Sequence, residues 1–372
     1  MKATVLSEKL KKILSLAEKA LGKSSHLPIL ETFLLKTNKN RIEVSSTNLE
    51  IGIVASFPAK IEKEGQVSVS ARPFLNFINQ LSDLKLNLEF SGKIFELITD
   101  SYKATLPAYP ADEFPLIPEV KTKTSFQLES SLFAAALNQV LVAASLSELR
   151  PELSSVYLIA EKGEGLKLAA TDTFRLAEKT VPAKELLSSP EEKQSCLIPL
   201  RTAQEVLRIA KEKLEPVTVQ LEPNQIQFNW QEVRLVSRLL EGEFPEYSSV
   251  IPREFKTKIT VNHSKLWEAL KVSGVFSSRL NDVKFQIFPN KKRIILGASD
   301  SQTGENQATL LPEEISGEEI EASFNYRYLL EALSVFNPKS KVQLNFTGAD
   351  KPLFLQQEND NSCFYILMPL RV

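Results

Sequence analysis

Histidine, cysteine, methionine and tryptophan each occur only twice in 372 residues, and glycine only twelve times. The two cysteines, Cys196 and Cys363, stand far apart with no metal or redox spacing, so they read as reduced thiols. His26 and His263 belong to no cluster with metal-ligand spacing. A Gly-rich phosphate loop, a G-x-S-x-G elbow and an H-E-x-x-H helix are all missing. No catalytic constellation, metal site or cofactor is therefore expected. No apolar run approaches the roughly 20 residues of a membrane helix. The opening MKATVLSEKLKKILSLAEKAL is broken by lysines and is not read as a signal peptide. These absences predict a soluble, cytoplasmic protein without a membrane partner. A net charge of -1 excludes a uniformly basic nucleic-acid binder but not one with charge segregated by face.

What the chain does have is an internal repeat. A strand, a turn, a second strand and a Thr/Ser-Asp/Asn pair recur in residues 29–55, 153–179 and 281–307. Thr47-Asn48, Thr171-Asp172 and Ser299-Asp300 line up. Their spacing of roughly 125 residues is a domain length, too long for a solenoid repeat. Each copy opens with a short strand and an amphipathic helix: Thr4–Leu6 and Glu8–Leu21, Ser125–Leu128 and Ser131–Ser145, Lys258–Val261 and Ser264–Phe276. A second strand and helix follow from Val67, Cys196 and Ile320, and Phe114-Pro115 and Phe244-Pro245 close the first two copies. Alternating strands such as Gln225-Ile226-Gln227-Phe228 predict one exposed sheet face. The fold class is α+β, three tandem copies of one domain with two helices packed on antiparallel sheets. The expected domains are 1–122, 123–254 and 255–372.

Leu10, Ile13, Leu14, Ala17 and Leu21 make a core stripe on the first helix, while Lys12 and Lys19, with Lys23 beyond, project elsewhere. On the helix from Arg201, the residues Arg201, Gln204, Arg208 and Lys211 align, with Val206, Leu207, Ala210 and Leu214 facing inward. Arg72 and Arg327 sit on the other second helices. Such stripes are ordinary solvated faces, or a basic surface that touches phosphates without reading bases. Acidic pairs gather in predicted turns and connecting segments, among them Asp112-Glu113, Glu191-Glu192 and Glu318-Glu319. Asp172 and Asp300 occupy equivalent positions in different copies and read as turn-closing groups rather than a catalytic pair. Trp230 and Trp267 read as strand and helix packing.

In order along the chain, HLPIL at 26–30, TNLEI at 47–51, RPEL at 150–153, ATDTFRL at 170–176, EGEFPEY at 241–247, FNYRYL at 324–329 and MPLRV at 368–372 resemble the bacterial sliding clamps, the beta subunits of DNA polymerase III. The resemblance spans essentially the whole chain. It implies a non-catalytic processivity factor: a head-to-tail homodimeric ring of six domains, helices lining the bore, encircling double-stranded DNA without sequence preference. Implied partners are the replicative polymerase alpha subunit and the clamp loader complex, with repair polymerases and mismatch-repair proteins as further ones. Partner peptides would dock between the second and third domains at Leu153, Thr171, Phe174, Arg175, Leu176, Pro245, Val250, Asn325, Tyr328, Pro352, Ile366, Met368, Pro369, Leu370 and Arg371. DNA-facing positions would be Lys12, Lys19, Lys23, Ser24, Arg72, Arg150, Arg201, Arg208 and Arg327. The chain departs from the family in three places. Thr173-Phe174 replaces a usual Gly-His, Ser24 stands where Arg is common, and Pro151 and Glu152 replace frequent tyrosines. On the residues alone, a non-DNA scaffold of three repeats and a hydrolase with a site between domains stay open as alternatives.

Overall fold

The computed structural model describes residues 1–22, 27–122 and 124–371. Lys23, Ser24 and His26 lie outside them. Six α-helices appear among the described residues: α1 Ser7–Ala17, α2 Ala71–Gln80, α3 Ser130–Leu141, α4 Leu200–Glu212, α5 His263–Gly274 and α6 Tyr326–Ser334. They are the two helices per copy that the repeat predicts.

By its internal contacts the chain forms two compact units, Met1–Ser131 with Arg208–Leu239, and Leu132–Leu207 with Leu240–Val372. The middle copy is divided between them because strands of neighbouring copies pair directly. In the first unit, Val233–Arg238 pairs antiparallel with Ile51–Pro58, Val233 opposite Ala55 and Ser237 opposite Ile51. In the second unit, Arg175–Pro182 pairs antiparallel with Cys363–Leu367, Arg175 opposite Leu367 and Lys179 opposite Cys363. A sheet edge that would otherwise be open is closed by another copy's strand.

Within the first unit, α1 packs on α2 and on the strands Arg41–Thr47 and Ile51–Pro58. Leu10, Ile13, Leu14 and Ala17 are buried as the stripe predicts. Phe33, Phe74 and Phe95 meet edge to face at centroid distances of 6.5 and 5.8 Å, the geometry that aligns ring edges with ring faces. In the second unit, α5 packs on α6 and on the strands Arg293–Asp300 and Gly304–Leu310. There Phe285, Phe324 and Phe346 form an equivalent cluster at 5.8 to 6.3 Å. Trp230 donates from Nε1 to Ser130 Oγ at 2.9 Å, and Trp267 stacks on His263, so both tryptophans serve packing.

Three expectations fail locally. The first helix stops at Ala17 and tightens into a 3₁₀ turn, Glu18–Ala20, leaving Leu21 half-buried on extended backbone. The helix from Leu200 ends at Glu212, so Leu214 lies past its last turn and is 95% exposed rather than inward. Gln227 is buried despite its place in an alternating strand. Its amide donates to Gln220 and Asn229 and accepts from the Val120 backbone, which satisfies the polar group that burial strips of water.

Candidate functional site

One local motif recurs and then diverges. In the first copy, Thr47 Oγ1 donates to Ile51 O at 2.9 Å and accepts from Leu49 N at 3.0 Å. Asn48 Oδ1 accepts from Glu50 N and Ile51 N. In the second copy, Thr171 Oγ1 donates to Arg175 O at 2.6 Å and accepts from Thr173 N at 3.2 Å. Asp172 Oδ1 accepts from Phe174 N and Arg175 N. Leu49 and Thr173 take the same left-handed backbone, φ 75° and 79°. In the third copy Asp300 Oδ1 accepts from Gln302 N alone among the described residues, and Gly304, φ 94°, carries the left-handed residue of a hairpin. These carboxylates and the amide close turns, as predicted.

Only the second copy builds a charged network on this turn. Arg175, 9% exposed, donates from Nε to Asp172 Oδ2 at 2.9 Å and from Nη1 to Tyr365 OH at 3.3 Å. Its Nη1 also donates to the half-exposed Glu331 carboxylate on α6. The guanidinium carbon lies 4.1 Å from the centroid of Tyr328, a cation–π contact. Burial alone would lower the guanidinium pKa, but Tyr365, Glu331 and Asp172 outweigh it and the pKa rises. Arg175 is a permanent cation. Burial raises the Tyr365 hydroxyl pKa, and burial with the Asp172 charge raises that of Tyr328, so both phenols stay protonated at neutral pH.

The turn also carries an exposed apolar side chain. Phe174 is 59% exposed, and its carbonyl accepts from Met368 N at 2.8 Å. Met368 is itself partly exposed, so Phe174 and Met368 are joined at one surface. The C-terminal segment continues with Leu370 N donating to Ser323 O at 2.8 Å, beside α6. There Asn325 caps the helix by accepting from Arg327 N at 3.0 Å. On the same sheet, Tyr247 donates to Glu178 Oε2 at 2.6 Å and meets Phe244, which stacks on Tyr157 at 4.9 Å. Pro245 lies between Phe244 and Tyr247, and the exposed Val250 donates its backbone N–H to Tyr247 O.

All fifteen predicted pocket positions fall in the second unit. Phe174, Val250 and Met368 offer exposed apolar surface; Pro245, Tyr328, Pro352, Pro369 and Leu370 are half-buried. Leu153, Leu176 and Ile366 are buried beneath and support that surface rather than form it. Leu370 and Arg371 border a cavity of about 550 Å³ that is faced by Lys284, Glu305 and Glu321. Sequence reasoning missed Glu331 and Tyr365, the two partners that hold Arg175. The only available signal was their place in the FNYRYL helix and the last strand.

The predicted basic positions are spread over both units. Lys12 on α1 lines a cleft of about 970 Å³ with Lys9 and Lys11, and Lys19 and Arg72 are exposed in the same unit. Arg208 is half-buried, reaching Leu16 O at 3.5 Å and Glu212 at 4.0 Å. Arg150 and Arg201 are exposed, but Arg150 is paired with Glu152 at 2.9 Å. Arg327 is exposed at the start of α6. Among the described residues no cluster of three His, Cys, Asp or Glu could hold a metal, and no helix is long and apolar enough to cross a membrane.

A threefold α+β repeat that exposes apolar Phe174 and Met368 beside the Arg175 ion-pair network, with no cluster able to hold a metal among the described residues, has the build of a repeat protein with an exposed apolar surface. Comparison with known proteins narrows that class. Residues 1–118, 127–246 and 248–371 match the N-terminal, central and C-terminal domains of the DNA polymerase III beta subunit. The chain is 28% identical to the beta sliding clamp of Synechococcus elongatus, with both chains covered in full. It is 27% identical to that of Bacillus subtilis, again over both full lengths. The solved Bacillus subtilis DNA polymerase sliding clamp superimposes with a TM-score of 0.94 at 26% identity, covering 100% of this chain and 99% of that one. The Thermotoga maritima DNA polymerase III beta subunit gives 0.91 at 28%, with the same coverage. The chain belongs to the DNA polymerase III beta subunit family, the sliding clamps, which are non-catalytic processivity factors.

Proposed function

We propose that two copies of this chain close head to tail into a ring around duplex DNA, and that each copy tethers polymerase by a peptide seated on the Phe174–Met368 surface. The observation that carries the tether is the Met368 N to Phe174 O bond at 2.8 Å, which joins two residues with exposed apolar side chains next in the chain to the ion-paired Arg175. An apolar slot with a few oriented polar groups suits a short linear peptide, and an adaptable Met suits varied ones. The fifteen pocket positions named from the sequence are the proposed lining and support of that slot. The domains are proposed to run 1–122, 123–254 and 255–372.

Two sheet edges support the dimer. Gly304–Leu310 ends its sheet, and Lys103–Tyr109 pairs with Ile94–Ile98 through Lys103–Pro107 and with Gln66–Ser70 only at Ala108 and Tyr109 among the described residues, so its second edge is open over Lys103–Pro107. One chain's first-copy edge can join the other's third-copy edge, a contact that closes after two repeats. Lys12, Lys19, Lys23, Ser24, Arg72, Arg150, Arg201, Arg208 and Arg327 are the proposed DNA-facing set. Their phosphate contacts carry no sequence information and stay weak enough to slide. A clamp loader complex opens the ring, and the polymerase alpha subunit, repair polymerases and mismatch-repair proteins share the peptide slot. The place of action is the cytoplasm.

The test is topological. With a loader supplied, the protein should stay on nicked circular DNA and slide off once the circle is linearised. Equal loss from both substrates rejects the ring. Replacing Lys12, Lys19, Arg201 and Arg208 by Ala should weaken DNA association and flatten its salt dependence.

A further inference from the structure

Arg175 and Glu178 are the only Lys, Arg, Asp or Glu side chains that are buried among the described residues, and both stand on the strand Arg175–Pro182. Three positions apart, they point to opposite faces of it, because side chains alternate along a strand. Arg175 holds Tyr328 and Glu331 of α6. Glu178 instead holds the segment from Glu241 to Phe255: its Oε2 accepts from Tyr247 OH at 2.6 Å, and Lys167 Nζ lies 3.5 Å from Oε1.

That segment is a strap with few ties. Among the described residues, the Tyr247–Glu178 bond is the only hydrogen bond that joins Glu241–Phe255 to the rest of the chain. The others close on the strap itself, Val250 N to Tyr247 O, Ile251 N to Ser248 O and Ser248 N to Glu246 Oε1. Phe244 stacks on Tyr157, and Phe255 lies 5.4 Å from Phe354. Apolar contacts of this kind are not directional, so they hold the strap down without fixing its place. The hydroxyl–carboxylate bond does fix it, and its length is that of a strong, charge-assisted one. Burial, and then the Glu178 carboxylate, raise the Tyr247 phenol pKa, so the phenol remains the donor.

The strap supplies Pro245 and the exposed Val250 to the peptide surface. Leu176 stands two positions from Glu178, on the same face of the strand, and Ile366 is its partner on the neighbouring strand. We propose that the Tyr247–Glu178 bond is a latch that sets the Pro245–Val250 wall against Leu176 and Ile366, which makes Tyr247 and Glu178 positioning residues for the docked peptide. The inference rests on the docking reading above. A wall already in place spares the peptide the cost of ordering it. With the latch cut, only molecules whose strap is seated can bind, and the apparent affinity falls by that fraction.

The experiment measures binding of a fluorescent synthetic peptide from the polymerase alpha subunit to the full-length protein, by anisotropy, below the melting temperature of every variant. Tyr247→Phe keeps the ring and removes the donor, Glu178→Leu removes the acceptor, and Glu178→Gln keeps an acceptor oxygen. Tyr247→Phe and Glu178→Leu should weaken the peptide about tenfold, the loss expected when roughly one molecule in ten keeps the strap seated. Glu178→Gln should stay within about threefold of the parent, because a neutral acceptor preserves the bond. Hydrogen exchange over residues 241–255 should quicken in the two weakened variants and slow again when the peptide is added. A bond that serves only the fold would lower the melting temperature and leave the affinity of the folded protein unchanged, which overturns the proposal. Glu178→Gln binding as weakly as Tyr247→Phe also overturns it, since charge and not the bond would then set the affinity. Should Glu178→Leu fail to fold, Tyr247→Phe against Glu178→Gln decides alone. No binding by the parent rejects the docking reading itself; parent binding matched by Tyr247→Phe rejects the latch alone.

Discussion

Residues 47–51 and 171–175 fold into the same turn, with the same hydroxyl and the same amide or carboxylate oxygen closing it. They do different work. The first turn ends in Ile51, which is buried, and its cap is the neutral Asn48. The second ends in Arg175, and its Asp172 cap doubles as an ion-pair partner. Four of the five side chains differ on an unchanged hydrogen-bond frame, and the differences replace a buried Ile51 by an ion-paired Arg175 and an exposed Glu50 by an exposed Phe174. The third copy keeps the carboxylate but places Thr303, not Arg, beyond it, and opens toward a cleft lined by Arg279 and Arg327. Duplication supplied the frame, and divergence at the positions around it supplied function.

The largest expected break in this comparison is Arg175→Ala. It removes the cation that the half-buried Asp172 and the buried Tyr365 share, and should cost about 3 kcal/mol in chemical denaturation. Asn48→Ala, which removes only a neutral turn cap, should cost about 1 kcal/mol. Equal costs would mean that the second turn is no more than a packing turn. Next in size is an alkaline effect confined to the second unit, the one that holds both cysteines. Burial pushes the Cys196 and Cys363 thiols from 9.0 up to about 12. Below pH 9 both states keep these protons; between 9 and 12 only the unfolded chain releases them, so their stabilising contribution is lost as pH rises through that window. Denaturation curves of the parent and Cys196→Ala across this range should converge as pH rises, and neither folded thiol should react with an alkylating probe near pH 8.

Phe174→Asp places a charge on exposed apolar surface. It should weaken a polymerase-derived peptide by about 2 kcal/mol, roughly thirtyfold by calorimetry, with little change in melting temperature. The smallest effect is a gain. Thr173 holds φ 79°, a region costly for a β-branched residue. Thr173→Gly should add up to about 1 kcal/mol, the relieved strain being partly offset by greater freedom of the unfolded chain. A loss on that substitution would show that the Thr side chain makes a contact worth more than its strain.

Much of this was legible before any coordinates. The order of strand, helix, turn and Thr/Ser-Asp/Asn pair located all six helices and the turn-closing role of Asp172 and Asp300. It could not locate where periodicity stops: Leu214 continues the apolar spacing of α4 but lies beyond its end, two residues before Pro216. Nor could alternation reveal a buried Gln227, because its partners Gln220 and Val120 come from another strand and a connecting segment. The candidate site divides the same way. Phe174, Met368 and Tyr328 stand in motifs, whereas Glu331 meets Arg175 across 156 residues of chain, a pairing no local pattern encodes.

If the second-copy turn docks a peptide and a separate basic set touches DNA, each ligand can be lost without the other. The direct measurement is paired binding of a polymerase-derived peptide and of a duplex oligonucleotide to the parent, to Phe174→Asp and to K12A/K19A/R201A/R208A. A crossed result is expected: Phe174→Asp loses the peptide and keeps the DNA salt slope, while K12A/K19A/R201A/R208A keeps the peptide and loses slope. Either variant weakening both ligands equally would contradict it.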